Sequence, residues 1–187
     1  MTKITTFTLN KPNITDFAKE RNDLLEKSKS DWNLFLDNDE KLSKPISNIS
    51  DKYDGYILKR RNYFLGQYVG TDKIIRLVKK NTGKFVRTVH EIWFPKTSHP
   101  AGVMLSPTII HNTADSLSKY LDKINNYSTL HATANLKEGK KSNLFKIILY
   151  PIAKFIVTLI KSKHVVFSIM QSLHSYLSWT KLYFLQH

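Results

Sequence analysis

The chain has 187 residues, enough for one domain with a sizeable core, and its lack of cysteine excludes a disulfide framework and any thiolate metal site. The formal net charge is +14, and no Asp or Glu follows Glu138, whereas seven lysines lie between Gly139 and His187. Half of the net charge therefore sits in an apolar, acid-free last quarter, which suits an anionic membrane surface and argues against a nucleic-acid arm, whose composition would be polar.

The opening Met-Thr-Lys-Ile-Thr-Thr-Phe lacks the apolar core of a signal peptide, so an intracellular protein is expected. Ile4–Leu9 reads as a short strand. A helix follows with Thr15 or Asp16 as N-cap and Phe17, Leu24 and Leu25 on one face. Trp32 to Leu36 has the apolar and aromatic character of a buried strand, and it runs directly into Asp37, Asp39 and Glu40. In open α/β sheets ligands bind outside the carboxyl ends of strands. Two carboxylates one residue apart at such an end can share a hard divalent cation that keeps several waters and bridges phosphates. The same residues equally suit a solvated acidic turn that closes a strand.

Between residues 51 and 112 short β-like runs alternate with turn residues: Gly55–Leu58, Tyr63–Tyr68, Ile74–Val78, Phe85–Val89 and Val103–Leu105, with a clear break at Asn81-Thr-Gly83. The remainder reads as helical. Leu117, Tyr120, Leu121, Ile124, Tyr127 and Leu130 keep helical spacing behind an Asp115 cap. Leu144–Ile160 and Val165–Leu185 form two apolar stretches split at Lys161-Ser-Lys163, neither of which reaches the length and purity of a spanning helix. Two in-plane amphipathic helices fit best, with lysines reaching for headgroups and Trp179 and Tyr183 at the interface. Two core helices packed on the sheet remain the alternative, and an inserted helical hairpin comes third.

Several blocks stand in a recognisable order: Asp16-Phe-Ala-Lys-Glu-Arg-Asn22, Asp31-Trp-Asn-Leu-Phe-Leu-Asp-Asn-Asp-Glu40, Tyr53-Asp-Gly-Tyr56, Arg60-Arg-Asn-Tyr-Phe-Leu-Gly66, Asp72-Lys-Ile-Ile-Arg-Leu77, Val89-His-Glu91 and Tyr120-Leu-Asp-Lys-Ile-Asn-Asn-Tyr-Ser128. Together they resemble the family 2 glycosyltransferases of the bacterial lipopolysaccharide-core glucosyltransferase type, over about residues 14–140. The resemblance implies an α/β, GT-A-like fold: a mostly parallel sheet flanked by helices, partial because the family's first strands have no counterpart, with a helical C-terminal segment. Residues 1–112 then form a partial catalytic domain, 113–142 an amphipathic helix packed on it, and 143–187 a basic, apolar, membrane-associating segment. The family's opening strand ending in Asn-Glu and its Ser-Thr-Asp turn, which grip the nucleobase, are absent. The chain is therefore expected to be a fragment of a split or truncated gene or a degenerate relative, and in the split case a separate chain would be the partner supplying those strands.

The site residues follow from the same resemblance. Asp37 and Asp39 would hold Mg²⁺ or Mn²⁺ to take up charge on the departing diphosphate. Glu91 would accept the proton of the attacking sugar hydroxyl. His90 would ligate the metal or orient a phosphate, and Arg21, Arg61 and Arg76 would pair with phosphate or donor oxygens. Read without the resemblance, His90-Glu91 is a surface pair, Arg21 a solvated charge on a helix, and Arg60-Arg61 a basic turn. His111 has a packing or capping role or a place near the acceptor, and Tyr63 and Phe64 either stack on a sugar or belong to the core. The expected function is metal-dependent, inverting transfer of a sugar from a nucleotide-sugar donor to a cell-envelope glycan or lipid-linked acceptor, in the cytoplasm at the inner face of the plasma membrane. A catalytically inactive remnant that binds membrane or a partner chain is the alternative.

Overall fold

A computed structural model describes residues 3–10, 14–88, 91–96, 99 and 101–187, with the backbone alone at residue 105. The elements, in chain order, are β1 (Ile4–Leu9), α1 (Phe17–Lys27), β2 (Trp32–Asp37), β3 (Glu40–Leu42), β4 (Gly55–Phe64), β5 (Gln67–Lys79), β6 (Gly83–Val86), β7 (Ile92–Pro95), β8 (Gly102–Asn112), α2 (Leu117–Lys137), α3 (Leu144–Ser162) and α4 (Val165–Leu185). Six strands form one sheet in the order β1-β2-β5-β4-β8-β3, and β6 and β7 form a separate ribbon. The sheet is mixed. β1 pairs with β2 in parallel, Ile4 opposite Trp32, whereas the β2–β5 and β3–β8 ladders are antiparallel. The chain divides into two compact units, Met1–Asn62 with Thr71–His111, and Tyr63–Gly70 with Asn112–His187.

The first unit is organised by β2. Trp32, Leu34 and Leu36 pack on one side of the sheet with Tyr56, Leu58, Leu77, Met104 and Ile109. Phe35 points to the other side and meets Ala18 and Leu25 of α1 together with Val78, Phe85 and Trp93. A strand covered on both faces needs a nearly continuous apolar run, and this one has it. Helix α1 starts where the sequence places it: the Asp16 carboxylate accepts the Lys19 N–H at 2.9 Å, satisfying one of the free donors of the first turn. Asn22 then ties α1 to β6, its side chain exchanging two 2.9 Å hydrogen bonds with the Phe85 backbone.

In the second unit the tip of the β4–β5 hairpin lies against helices. Phe64 is buried beside Tyr120, Phe167 and His164, with ring centroids 4.9, 5.4 and 5.7 Å away. It is a core residue, not a platform for a sugar. The hairpin turns at Leu65-Gly66, both at positive φ, inside the run Tyr63–Tyr68 that reads as one strand in the sequence. Helix α2 is capped by Ser116, not Asp115; the Ser116 hydroxyl accepts the Lys119 N–H. The break between α3 and α4 falls at Lys163, which adopts the left-handed conformation common at helix C-termini. Helix α4 packs against both α2 and α3. Gln171 donates to the Tyr120 hydroxyl at 2.8 Å, the Lys181 ammonium donates to Asn125, Ser128 and Thr129, and the Ser172 hydroxyl donates to the Pro151 carbonyl at 2.9 Å.

Candidate functional site

Strand alternation decides what surrounds the acidic turn. Asp37 stands two residues after Phe35 and therefore points to the α1 side of the sheet; Arg76 stands two residues before Val78 and points the same way. From α1, the inward stripe is Ala18, Arg21 and Leu25, so Arg21 occupies a buried position between two apolar ones. The three meet. Arg21 Nη2 donates to Asp37 Oδ1 at 2.7 Å and Arg76 Nη2 to Asp37 Oδ2 at 2.6 Å. Glu91 completes a closed ring, its Oε1 accepting from Arg21 Nε and from Arg76 Nη1, each at 2.8 Å.

A second chain of pairs extends the ring. Glu40 Oε2 accepts the backbone N–H of Asp37 at 3.1 Å, and Glu40 Oε1 accepts from Arg60 Nη1 at 2.9 Å and Arg76 Nη2 at 3.4 Å. Arg60 in turn forks onto both oxygens of Asp72, at 3.0 and 2.7 Å. The Arg21 and Glu40 side chains are fully buried and Arg76 is only 3% exposed. Charges so deep in a protein require partners, and each here has at least two hydrogen bonds to an opposite charge. Burial pushes the Asp37 carboxyl up, but the adjacent Arg76 and Arg21 charges outweigh it and hold the group below the ordinary carboxylate range. The same carboxylates raise the Arg76 and Arg60 guanidiniums against the opposing effect of burial.

The residues read as site candidates divide accordingly. Arg21, Asp37, Arg76 and Glu91 come together. Their arrangement differs from the simplest sequence expectation: Arg21 is a buried ion-pair partner, not a solvated charge, and Arg60-Arg61 lies within β4, not in a turn. Arg61 is exposed and, as the neighbour of Arg60 along the strand, faces the other way. His90 lies outside the described residues. Asp39, in the turn after β2, reaches His111 with Oδ2 3.4 Å from Nε2, while His111 Nδ1 lies 2.7 Å from Asn62 Oδ1. Sequence reasoning passed over Glu40 and Arg60. A signal existed for each: Glu40 follows Asp37 by three residues across a turn, and Arg60 belongs to a strand long enough to reach Asp72 on its neighbour.

The acidic turn suits a hard cation of the kind that relies on few protein ligands. Asp37 and Asp39 carry oxygen donors with side chains 26% and 24% exposed and lie close enough that Asp39 raises the Asp37 carboxyl, but both Asp37 oxygens already accept from Arg21 and Arg76. Among the described residues no three or more His, Asp or Glu side chains converge as a metal cage. Mg²⁺-type binding, with one or two carboxylates, water and substrate phosphates, is the mode this donor set fits.

Comparison with known proteins points in the direction of the sequence resemblance. The chain is 26% identical over 149 residues to the lipopolysaccharide core biosynthesis glycosyltransferase LpsC of Rhizobium meliloti (strain 1021), covering 72% of this chain and 54% of that protein. It is 28% identical over 139 residues to uncharacterized glycosyltransferases of Rickettsia felis and Rickettsia conorii, covering 63% of this chain and 49% of each. The chain thus resembles glycosyltransferases and spans about half the length of the curated relatives it matches. No protein-family model matches it.

Proposed function

We propose that this chain forms part of a GT-A-type glycosyltransferase that moves a sugar from a nucleotide-sugar donor to a cell-envelope glycan or lipid-linked acceptor, with inversion, at the inner face of the plasma membrane. The observation that carries this reading is the similarity to curated glycosyltransferases, and it is supported by the position of Asp37 and Asp39 at and just after the carboxyl end of β2. Asp37 and Asp39 would hold Mg²⁺ or Mn²⁺, which when bound offsets charge on the leaving diphosphate. Arg21 and Arg76 orient Asp37 and Glu91 from beneath, a positioning role, because their guanidiniums are too buried to reach a ligand. Glu91 accepts the proton of the acceptor hydroxyl as that oxygen bonds to the anomeric carbon. Its Oε1 already takes two guanidinium hydrogen bonds, so Oε2 is the accepting atom.

One observation favours a second reading, an inert module that binds membrane or a partner. Asp37 and Glu91 are both engaged by buried arginines, and such networks serve structure as readily as chemistry. Thermal melting with Mn²⁺ and a uridine-diphosphate sugar separates the two. The transferase reading expects the ligands to raise the melting temperature of the parent and not of Asp39→Asn. Asp39→Asn is the cleaner variant, since Asp37→Asn also strips a counter-ion from two buried arginines. A parent that shows no metal-dependent shift supports the inert module, and an Asp39→Asn chain that shifts like the parent places the metal elsewhere.

A further inference from the structure

Helix α3 carries two apolar faces, and only one of them is covered. Ile147, Pro151, Phe155 and Leu159 recur every four residues, are buried or half-buried, and include the residue whose carbonyl accepts from Ser172 of α4. Phe145, Ile148, Leu149, Ile152, Ile156 and Ile160 follow an adjoining set of three- and four-residue steps. All six are at least 50% exposed, Phe145 at 74% and Ile160 at 71%. An apolar helix face is ordinarily buried. The uncovered strip is of the order of several hundred Å², about the most that soluble monomers leave open to water.

The charge beside this strip identifies what covers it. Lys154 and Lys161 are exposed along one flank of α3, and residues 139–187 contain seven lysines and no acid. A second copy of this chain pairing through the same face would bring lysines against lysines, with no carboxylate in residues 139–187 to face them. A nucleic acid would meet aliphatic side chains in place of donors. Anionic lipid satisfies both features, taking the strip into the acyl boundary and the ammonium groups among its headgroups. No helix among the described residues is long and apolar enough to cross a membrane, which leaves the in-plane orientation. We propose that the outer face of α3 is an in-plane docking surface for anionic bilayers. This specifies the peripheral placement given above and does not depend on the sugar chemistry.

The test uses the full chain and co-sedimentation with vesicles of phosphatidylcholine alone or mixed with phosphatidylglycerol. The triple variant Ile148→Gln, Ile152→Gln, Ile156→Gln is expected to lower partitioning by about a hundredfold, since each side chain loses the burial of roughly half an isoleucine. Its melting temperature stays near the parent's because all three side chains already face water. Lys154→Gln with Lys161→Gln weakens binding about ten- to thirtyfold, and only on the anionic vesicles. At about 0.5 M NaCl parent binding weakens but persists, because screening removes the lysine contribution and leaves apolar burial. A triple variant that partitions like the parent overturns the proposal, as does parent binding that vanishes entirely at high salt. So does a parent that ignores vesicles and instead forms a dimer that the triple variant abolishes.

Discussion

Arg76 touches Asp37, Glu40 and Glu91 from a position almost closed to water. Removing it leaves three carboxylates with less compensation than burial demands. Arg76→Ala is therefore expected to cost on the order of 3–5 kcal/mol in urea unfolding. Arg76→Lys recovers little of this, since one ammonium cannot reproduce a planar fork onto three acids. The same cluster sets a pH dependence. The folded Asp37 pKa lies below its unfolded value, so its contribution is fully present above about pH 4 and is lost as pH falls through the lower folded value. Urea midpoints measured from neutral to acid pH should fall most steeply in that window, and Asp37→Asn should flatten part of the slope. At this scale the sequence was only partly legible. Asp37 and Glu91 stood out by chemical type, but a guanidinium that feeds an ion pair and one that awaits a phosphate look identical until burial is known.

Among the elements, the β4–β5 hairpin is the least legible in sequence. Its turn is Leu65-Gly66, with φ of 48° and 79°, the positive pair that a type I′ turn demands. Leucine is a poor residue for the left-handed region, and its apolar side chain hides the turn inside what reads as a strand. Leu65→Asn should raise stability by about 0.5–1 kcal/mol, read as a higher urea midpoint with an unchanged slope. A lower midpoint would mean that the partial burial of Leu65 outweighs its backbone strain. Helices α1, α3 and α4 were legible because capping side chains and a lysine-rich break mark their ends. The short strands β3 and β7 were not, since three or four residues carry too little periodicity.

Across the molecule the charge of +14 works against compactness. Added salt up to about 0.2 M should therefore raise the melting temperature by screening self-repulsion, while leaving the buried ring of ion pairs largely unscreened. A melting temperature that falls with salt would show that exposed pairs such as Lys140–Glu138 matter more than the net charge.

Sequence alone determined the order of the main elements, the buried character of β2 and the basic apolar tail, because each is written in local composition and periodicity, while the resemblance to glycosyltransferases rests on the order of particular residue blocks. Tertiary structure decided the rest. It set the partners of Arg21, Asp37, Arg76 and Glu91, separated by up to 70 residues, through strand alternation and the inward stripe of α1. It made Phe64 core, made the sheet mixed, and left one side of α3 uncovered. Burial and pairing arise only when distant segments meet, and local sequence does not encode which segments those are.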